Sequence, residues 1–311
     1  MVILKDGQVL FRPIFDSTCL EPALWYWVDF FAPTDNEVAY LSSYFHFHPL
    51  AIEDCLFMQQ RPKVDNYEDH RFFVLHSFDG KIKQADEVNL FQSNNFIVSF
   101  HNKSSPTIEK IWEQYKQHPN RTEKGTIYLL YLIIRGVVDS YVPILDRIED
   151  ELEEIESDYF VQLEQRTINQ IFKIRKELLA LRRSLDPLSD LIKEIIHPEE
   201  DKWKNEQKAF FSDIHDSIIR LLELTEVYRQ ICMDLIESNA AINSQKANQV
   251  MMILTIIATI FMPLTLIVGI YEISLQNMPE LRWSYGAYIP LLLLALVAGA
   301  MIIWIKRKNW F

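Results

Sequence analysis

Seven side chains near the C-terminal end of the chain recur at alternating intervals of three and four: Asn248, Met251, Thr255, Ala258, Met262, Thr265 and Gly269. On an α-helix that spacing gathers them into one stripe. Small and hydroxyl side chains let membrane helices approach closely, whereas several such stripes around a common axis can line a passage for ions. Periodicity leaves both readings open. A second set of reactive groups is acidic. Glu53 and Asp54 are adjacent, and DRIEDELEEIESD (residues 146–158) places seven carboxylates between Glu149 and Asp158. Taken alone, the pair reads as an exposed helix surface and the run as a solvated helix face. His46, His48, His70 and His76 fit no zinc-binding spacing and have no supporting cysteines, which points to scattered structural histidines. The seven glycines are too far apart for GxGxxG or a P-loop, and neither GxSxG nor HExxH occurs, so the sequence points away from an enzyme.

The stripe lies in the first of two apolar runs. Residues 250–270 contain no ionisable side chain, and at about 1.5 Å per helical residue they cover a hydrocarbon core of roughly 30 Å. Residues 288–305 form a second, shorter run that is still long enough. Between them, YEISLQNMPELRWSYGA carries Glu272, Glu280 and Arg282, and the tail beyond carries Lys306, Arg307 and Lys308. The excess of basic residues in the tail predicts that this side faces the cytoplasm. Two spans return the chain to its starting side. The expectation is therefore a multi-pass protein of the cell (inner) membrane, with both termini cytoplasmic and residues 271–287 as an external loop.

Roughly 250 residues precede the first run, enough for one or two soluble domains. MVILKDGQVLFRP has early charges and no long apolar stretch, so no secretory signal is expected there. Cys19, Cys55 and Cys232 are odd in number and scattered, which fits a reducing compartment. A net charge of −12 argues against a nucleic-acid partner and leaves a surface that attracts cations. Up to about residue 102 the pattern is mixed α/β. Strands are expected at 25–31, 71–78, 88–92 and 96–100, turns at Asp79-Gly80 and Ser93-Asn94, and helices at 35–45 and 51–58. Between residues 143 and 262 there is no glycine, and beyond Pro143 itself the only prolines are Pro187 and Pro198. Leu145, Ile148, Leu152 and Ile155, and then Ile218, Leu221, Leu222, Leu224 and Val227, mark amphipathic helices. A helix starting near residue 210 has no stop signal before the membrane and would extend roughly 90 Å to residue 270. The expected division is an α/β cytoplasmic domain (1–142), long helices and stalk (143–249), a first transmembrane helix (250–270), the loop (271–287), a second transmembrane helix (288–305) and a basic tail (306–311).

The run IIATIFMPLTLIVGIY, followed by NMPELRW and a closing KRKNW, closely resembles the CorA family of divalent-cation channels. HPLAIEDCL, QRPKVDNYED and KANQVMMILT extend the resemblance over nearly the whole chain. It implies a homopentameric funnel in the lipid bilayer, with the stalk helix continuing as the inner pore helix and a second helix facing lipid. It also implies a lumen lined by Asn248, Met251, Leu254, Met262 and Thr265, with Glu237 deeper in the stalk, where methionine and leucine rings act as a constriction that gates by dewetting. Glu53, Asp54 and Asp213 are then implied as carboxylates that bind regulatory Mg²⁺ between subunits, with Lys306, Arg307 and Lys308 forming a basic ring near the acidic helices. Mg²⁺, or another divalent cation such as Co²⁺, Ni²⁺ or Zn²⁺, is the implied substrate and regulator.

One segment departs from the family pattern. Where members carry Tyr-Gly-Met-Asn, this chain reads Tyr271, Glu272, Ile273, Ser274. A serine hydroxyl lacks the reach of the asparagine amide, and five copies of Glu272 would form a carboxylate ring at the mouth whose mutual repulsion raises some of its pKa values. The expectation is a divalent-cation channel with an atypical selectivity loop. The alternatives are a CorA-like membrane effector or regulated pore that no longer transports Mg²⁺ selectively, and a Glu272 that simply points to solvent as a loop charge, as exposed glutamates commonly do.

Overall fold

Strands buried on both faces read as nearly continuous apolar runs, and three of the central strands here do. The computed structural model describes residues 2–4, 9–11, 23–57, 60–78, 85–118, 123–158, 165–197, 205–272 and 288–307. Asp79-Gly80, Cys19, Pro198, Ile273, Ser274, Glu280 and Lys308 lie outside the described residues, as does most of the expected 271–287 loop. In chain order come β1 (Val2–Leu4), β2 (Val9–Leu10), β3 (Ala23–Phe31), α1 (Asp35–Ser43), α2 (Pro49–Phe57), β4 (Lys63–Asn66), β5 (Arg71–Ser77), β6 (Asp86–Gln92) and β7 (Phe96–His101). They are followed by α3 (Pro106–Gln117), α4 (Gly125–Asp139), α5 (Val142–Asp158), α6 (Gln165–Ile196), α7 (Asn205–Glu272) and α8 (Tyr288–Arg307). The chain divides into two units, Met1–Leu235 and Ile236–Phe311.

In the first unit the strands form one sheet in the order β2-β1-β3-β7-β6-β5-β4, with β3 and β7 parallel and the other neighbours antiparallel. Period-two alternation sends Phe30, Phe72, Val74, Val98 and Phe100 to one face, where they pack with Leu41, Phe47, Ala51 and Cys55 from the α1–α2 region. Phe47 stacks on Phe91 with ring centroids 3.8 Å apart. On the other face Trp27 meets Trp112 and Tyr115 of α3 edge-on, and α4 buries Leu129, Leu130, Ile133, Ile134, Val137 and Val138. The result is a three-layer α/β arrangement. Helix α3 starts as its sequence dictates: Pro106 follows Ser105, whose hydroxyl accepts the Ile108 N–H at 3.4 Å.

The long helices bury strict three-four repeats. On α6 these are Ile171, Ile174, Leu178, Leu181, Leu185, Leu188, Ile192 and Ile195. On α7 they are Phe211, Ile214, Ile218, Leu221, Thr225, Tyr228, Cys232 and Leu235. A 3.5-residue period keeps one seam of a helix against its neighbours in coiled-coil fashion. It also corrects the expected α7 face. Val227 is 53% exposed and Thr225 is buried, its hydroxyl returned to the Leu221 carbonyl at 2.7 Å. Continuity of the seam, not hydrophobicity at each position, decides which side faces inward. Ion pairs fasten the bundle from outside, Arg147 to Glu177 between α5 and α6 and Arg182 to Glu226 between α6 and α7, both at 2.9 Å.

Among the described residues three helical stretches are long and apolar enough to cross a membrane: Gly125–Ser157, Lys208–Ile270 and Pro290–Arg307. The most apolar segment of the first is 44% buried within the chain, and those of the other two are 0% and 6% buried. The apolar side chains of α4 already have a protein core. Those of α7 and α8 in the second unit do not.

Candidate functional site

Helix α7 carries all nine expected pore-lining positions: Glu237, Asn248, Met251, Leu254, Thr255, Ala258, Met262, Thr265 and Gly269. Every one is exposed except Gly269, which is half-buried. Met262 is 78% exposed, Met251 64% and Leu254 62%. On the other side of the same helix Ile256, Ile260, Pro263 and Ile267 are half-buried. At about 100° per residue their mean direction lies more than a third of a turn from that of the stripe. Helix α8 shows a comparable half-buried line at Pro290, Leu294, Val297 and Met301. Each of these two helices thus has one partly covered side, and the stripe occupies an uncovered one.

The stripe's hydroxyls are oriented by the helix itself. Thr255 donates to the Met251 carbonyl at 2.8 Å and Thr265 to the Phe261 carbonyl at 2.7 Å. Their protons are committed, so each oxygen offers only lone pairs outward, which suits the water shell of a hydrated cation. Helix α7 extends through Tyr271 and Glu272, two residues into the expected loop. Glutamate favours helix over glycine by about 0.5–1 kcal/mol, which agrees with the helix continuing to this position. Lys306 and Arg307 are exposed in the last turn of α8, where the negative end of the helix dipole favours cations.

The carboxylates expected to bind regulatory cations lie in the first unit. Glu53 is exposed on α2 beside Leu50 and Phe57, which are also exposed. Asp54 is half-buried; its Oδ2 accepts Lys63 Nζ at 2.7 Å and its Oδ1 accepts Gln60 Nε2 at 2.9 Å. Asp213 on α7 accepts Arg135 Nη1 from α4, while Nε of the same guanidinium reaches Asp139 at 3.1 Å. Carboxylate oxygens are the right donors for a hard divalent cation. Nevertheless, a single chain brings together no group of three histidine, cysteine or acidic ligands among the described residues.

The histidines have structural roles. His48 stacks on Tyr67 and Tyr67 on His70, His46 faces the Ser42 carbonyl, and His76 contacts Ser184 Oγ at 3.0 Å and the Gln60 carbonyl at 2.8 Å. Burial lowers the pKa values of His70 and His76. Cys55 and Cys232 are free and buried, and burial raises both thiols, that of Cys232 to about 11. The acidic run on α5 turns its apolar members Leu145, Ile148, Leu152 and Ile155 inward and leaves Glu149, Asp150, Glu153, Glu154 and Glu156 exposed.

One polar cluster had no sequence signal. On the parallel β3–β7 pair, Asp29 lies opposite Ser99. Ser99 Oγ donates to Asp29 and accepts Trp27 Nε1 at 2.9 Å. His101 places Nε2 3.1 Å from Asp29 Oδ1 and Nδ1 2.6 Å from the Lys103 carbonyl. Serine and histidine both engage the same carboxylate, an arrangement that fixes the strand ends and does not prime the hydroxyl for attack. Only pairing of segments some 70 residues apart assembles this cluster.

Residues 23–307 match the family model described as CorA-like Mg2+ transporter protein. The chain is 42% identical to YfjQ of Bacillus subtilis (strain 168) over 287 residues, 92% of this chain and 90% of that protein. It is 32% identical to the cobalt/magnesium transport protein CorA of Thermotoga maritima over 275 residues, 87% of this chain and 78% of that one. In fold it is similar to the CorA magnesium transporter from Methanocaldococcus jannaschii, with a TM-score of 0.85 at 23% identity over 96% of this chain and 95% of that one. The α/β unit, the single long helix with its uncovered stripe and a match over most of the chain converge: the chain belongs to the CorA-like Mg2+ transporter family.

Proposed function

We propose that the chain assembles as a homopentamer in the cell (inner) membrane and conducts divalent cations along an axis lined by the α7 stripe, with both termini in the cytoplasm. The observation that carries this reading is the exposure of that stripe, from Asn248 to Thr265, opposite the half-buried side of the same helix. Two spans per chain cannot enclose a lumen, so an axial passage requires several copies. The two-span count is supported by the burial of α4 in the α/β unit, which leaves α7 and α8 as the helices whose apolar surfaces need lipid or partners. Exposed Leu50 and Phe57 beside Glu53 give α2 an apolar surface suited to contact between copies.

In this reading Met251, Leu254 and Met262 form the constriction, while Asn248, Thr255 and Thr265 meet the ion's water shell. Ala258 and Gly269 keep the lumen wide, and Glu237 draws cations at the cytoplasmic end. Glu53, Asp54 and Asp213 bind a regulatory divalent cation between copies. The acidic face of α5 offsets the repulsion of Lys306, Arg307 and Lys308 toward cations. At the outer mouth Tyr271, Glu272, Ile273 and Ser274, with Glu280, replace the family's amide filter by a carboxylate one, and this alters selectivity. Relatives named for cobalt and magnesium transport support divalent cations as the substrate class.

Flux of Mg²⁺, Co²⁺, Ni²⁺ and Zn²⁺ into proteoliposomes, measured for the wild type and Glu272→Gln, tests the reading. Loss of the carboxylate is expected to reduce divalent flux roughly tenfold and to change the order of preference among the ions. Unchanged flux and order would remove Glu272 from the filter, and no flux in any protein would favour the effector reading, in which the altered loop marks a lost transport function. Native mass spectrometry is expected to give five copies.

A further inference from the structure

Two of the carboxylates assigned above to the cytoplasmic cation site already bind a cation supplied by the chain itself. Arg135, on α4, reaches Asp213 on α7 and is held in place by Asp139 one turn along its own helix. Lys63, on β4, reaches Asp54 on α2 at 2.7 Å and Asp65 at 2.6 Å, while the Gln60 amide orients the second oxygen of Asp54. The Arg135–Asp213 and Lys63–Asp54 pairs join separate elements and are not neighbouring turns of one helix. Each aims a fixed positive charge at an oxygen that a divalent cation would need.

We propose that Arg135 and Lys63 are tethered counter-ions: without a divalent cation they occupy Asp213 and Asp54, and a regulatory ion bridging two copies must displace them to bind. The inference rests on the reading that these carboxylates bind a regulatory divalent cation. The two pairs set the ion level to which the cytoplasmic unit responds. Magnesium gives up its own water reluctantly and gathers few protein ligands, so it competes poorly against an ammonium or guanidinium already seated on the carboxylate. The side chains of Lys63 and Asp54 are 33% and 20% exposed, those of Arg135 and Asp213 35% and 63%. The more buried pair is the stronger competitor, since solvent screens it less. Removing Arg135 is therefore expected to tighten Mg²⁺ binding about two- to fivefold, and removing Lys63 to tighten it by roughly tenfold or less.

The test is calorimetric titration of the purified full-length protein with Mg²⁺, using the wild type, Arg135→Gln, Arg135→Lys, Lys63→Gln and Asp213→Asn. Melting temperatures without divalent cation would show which variants remain folded. The expected result is a lower Kd for Arg135→Gln and Lys63→Gln, a near-wild-type Kd for Arg135→Lys, which keeps the charge, and binding at least tenfold weaker for Asp213→Asn. An unchanged or raised Kd in Arg135→Gln and Lys63→Gln, with binding still weakened by Asp213→Asn, would overturn the counter-ion role and leave the cation site standing. A wild-type Kd in Asp213→Asn would remove the site itself, and the counter-ions with it.

Discussion

His101 shows how one residue can make this fold sensitive to pH. Both ring nitrogens face acceptors, the Lys103 carbonyl and Asp29 Oδ1, so both bonds form only when the ring carries two protons. Burial by itself would lower its pKa, but the hydrogen bond and charge of Asp29, the Lys103 carbonyl and the charge of Glu109 on α3 outweigh burial and raise it. With the folded value above the ordinary one, the stabilisation is complete below about pH 6.5 and is lost as pH rises through the folded value. The melting temperature of the wild type should therefore exceed that of Asp29→Asn in mildly acidic buffer, and the gap should narrow on the alkaline side. A gap that widens with pH would contradict the assignment. Neither this cluster nor the Arg135–Asp213 pair was legible in the sequence. Their members lie 72 and 78 positions apart, and no spacing rule joins them. Glu53, Asp54, Glu272 and the stripe were legible only as residue types in a pattern, and the resemblance supplied the roles proposed for them.

At the level of elements, the sequence is most readable where one periodicity persists. Alternation located β3, β5, β6 and β7 to within a few residues, and the absence of glycine announced α5, α6 and α7. The buried seam of α7 was less legible, because Leu222, Leu224 and Val227 are as apolar as the positions that actually face inward. Helix α4 poses the same difficulty in another form, since its composition would also suit a membrane and only packing against the sheet reveals a core element. That packing is close at one point. A Cβ added to Gly136 would lie 2.6 Å from Thr107 Cγ2 of α3. Gly136→Ala should thus destabilise the protein by about 1–3 kcal/mol. Thr107→Ser, which removes the opposing methyl, should restore most of the loss in the double variant. Additive losses in thermal unfolding would show that the strain arises elsewhere.

For the whole molecule, membership of a family of CorA-like Mg2+ transporters makes divalent-cation transport the activity to be explained. The two apolar C-terminal helices and the long helix α7 were visible from apolar length and glycine distribution. Which side of α7 is left uncovered was not, because small, hydroxyl and apolar residues alike satisfy lipid, neighbouring helices and a lumen. Exposure within one chain marks only a half-buried side, with Ile256, Ile260 and Ile267, apart from the exposed remainder that includes Met251, Thr255, Met262 and Thr265. The most direct test is divalent-cation flux into proteoliposomes from single-cysteine substitutions at those seven positions, before and after a water-soluble thiol reagent. Block of flux at Met251, Thr255, Met262 and Thr265 with little effect at the three isoleucines is the predicted result; block confined to the isoleucines, or at none of the seven, would contradict a passage lined by this stripe.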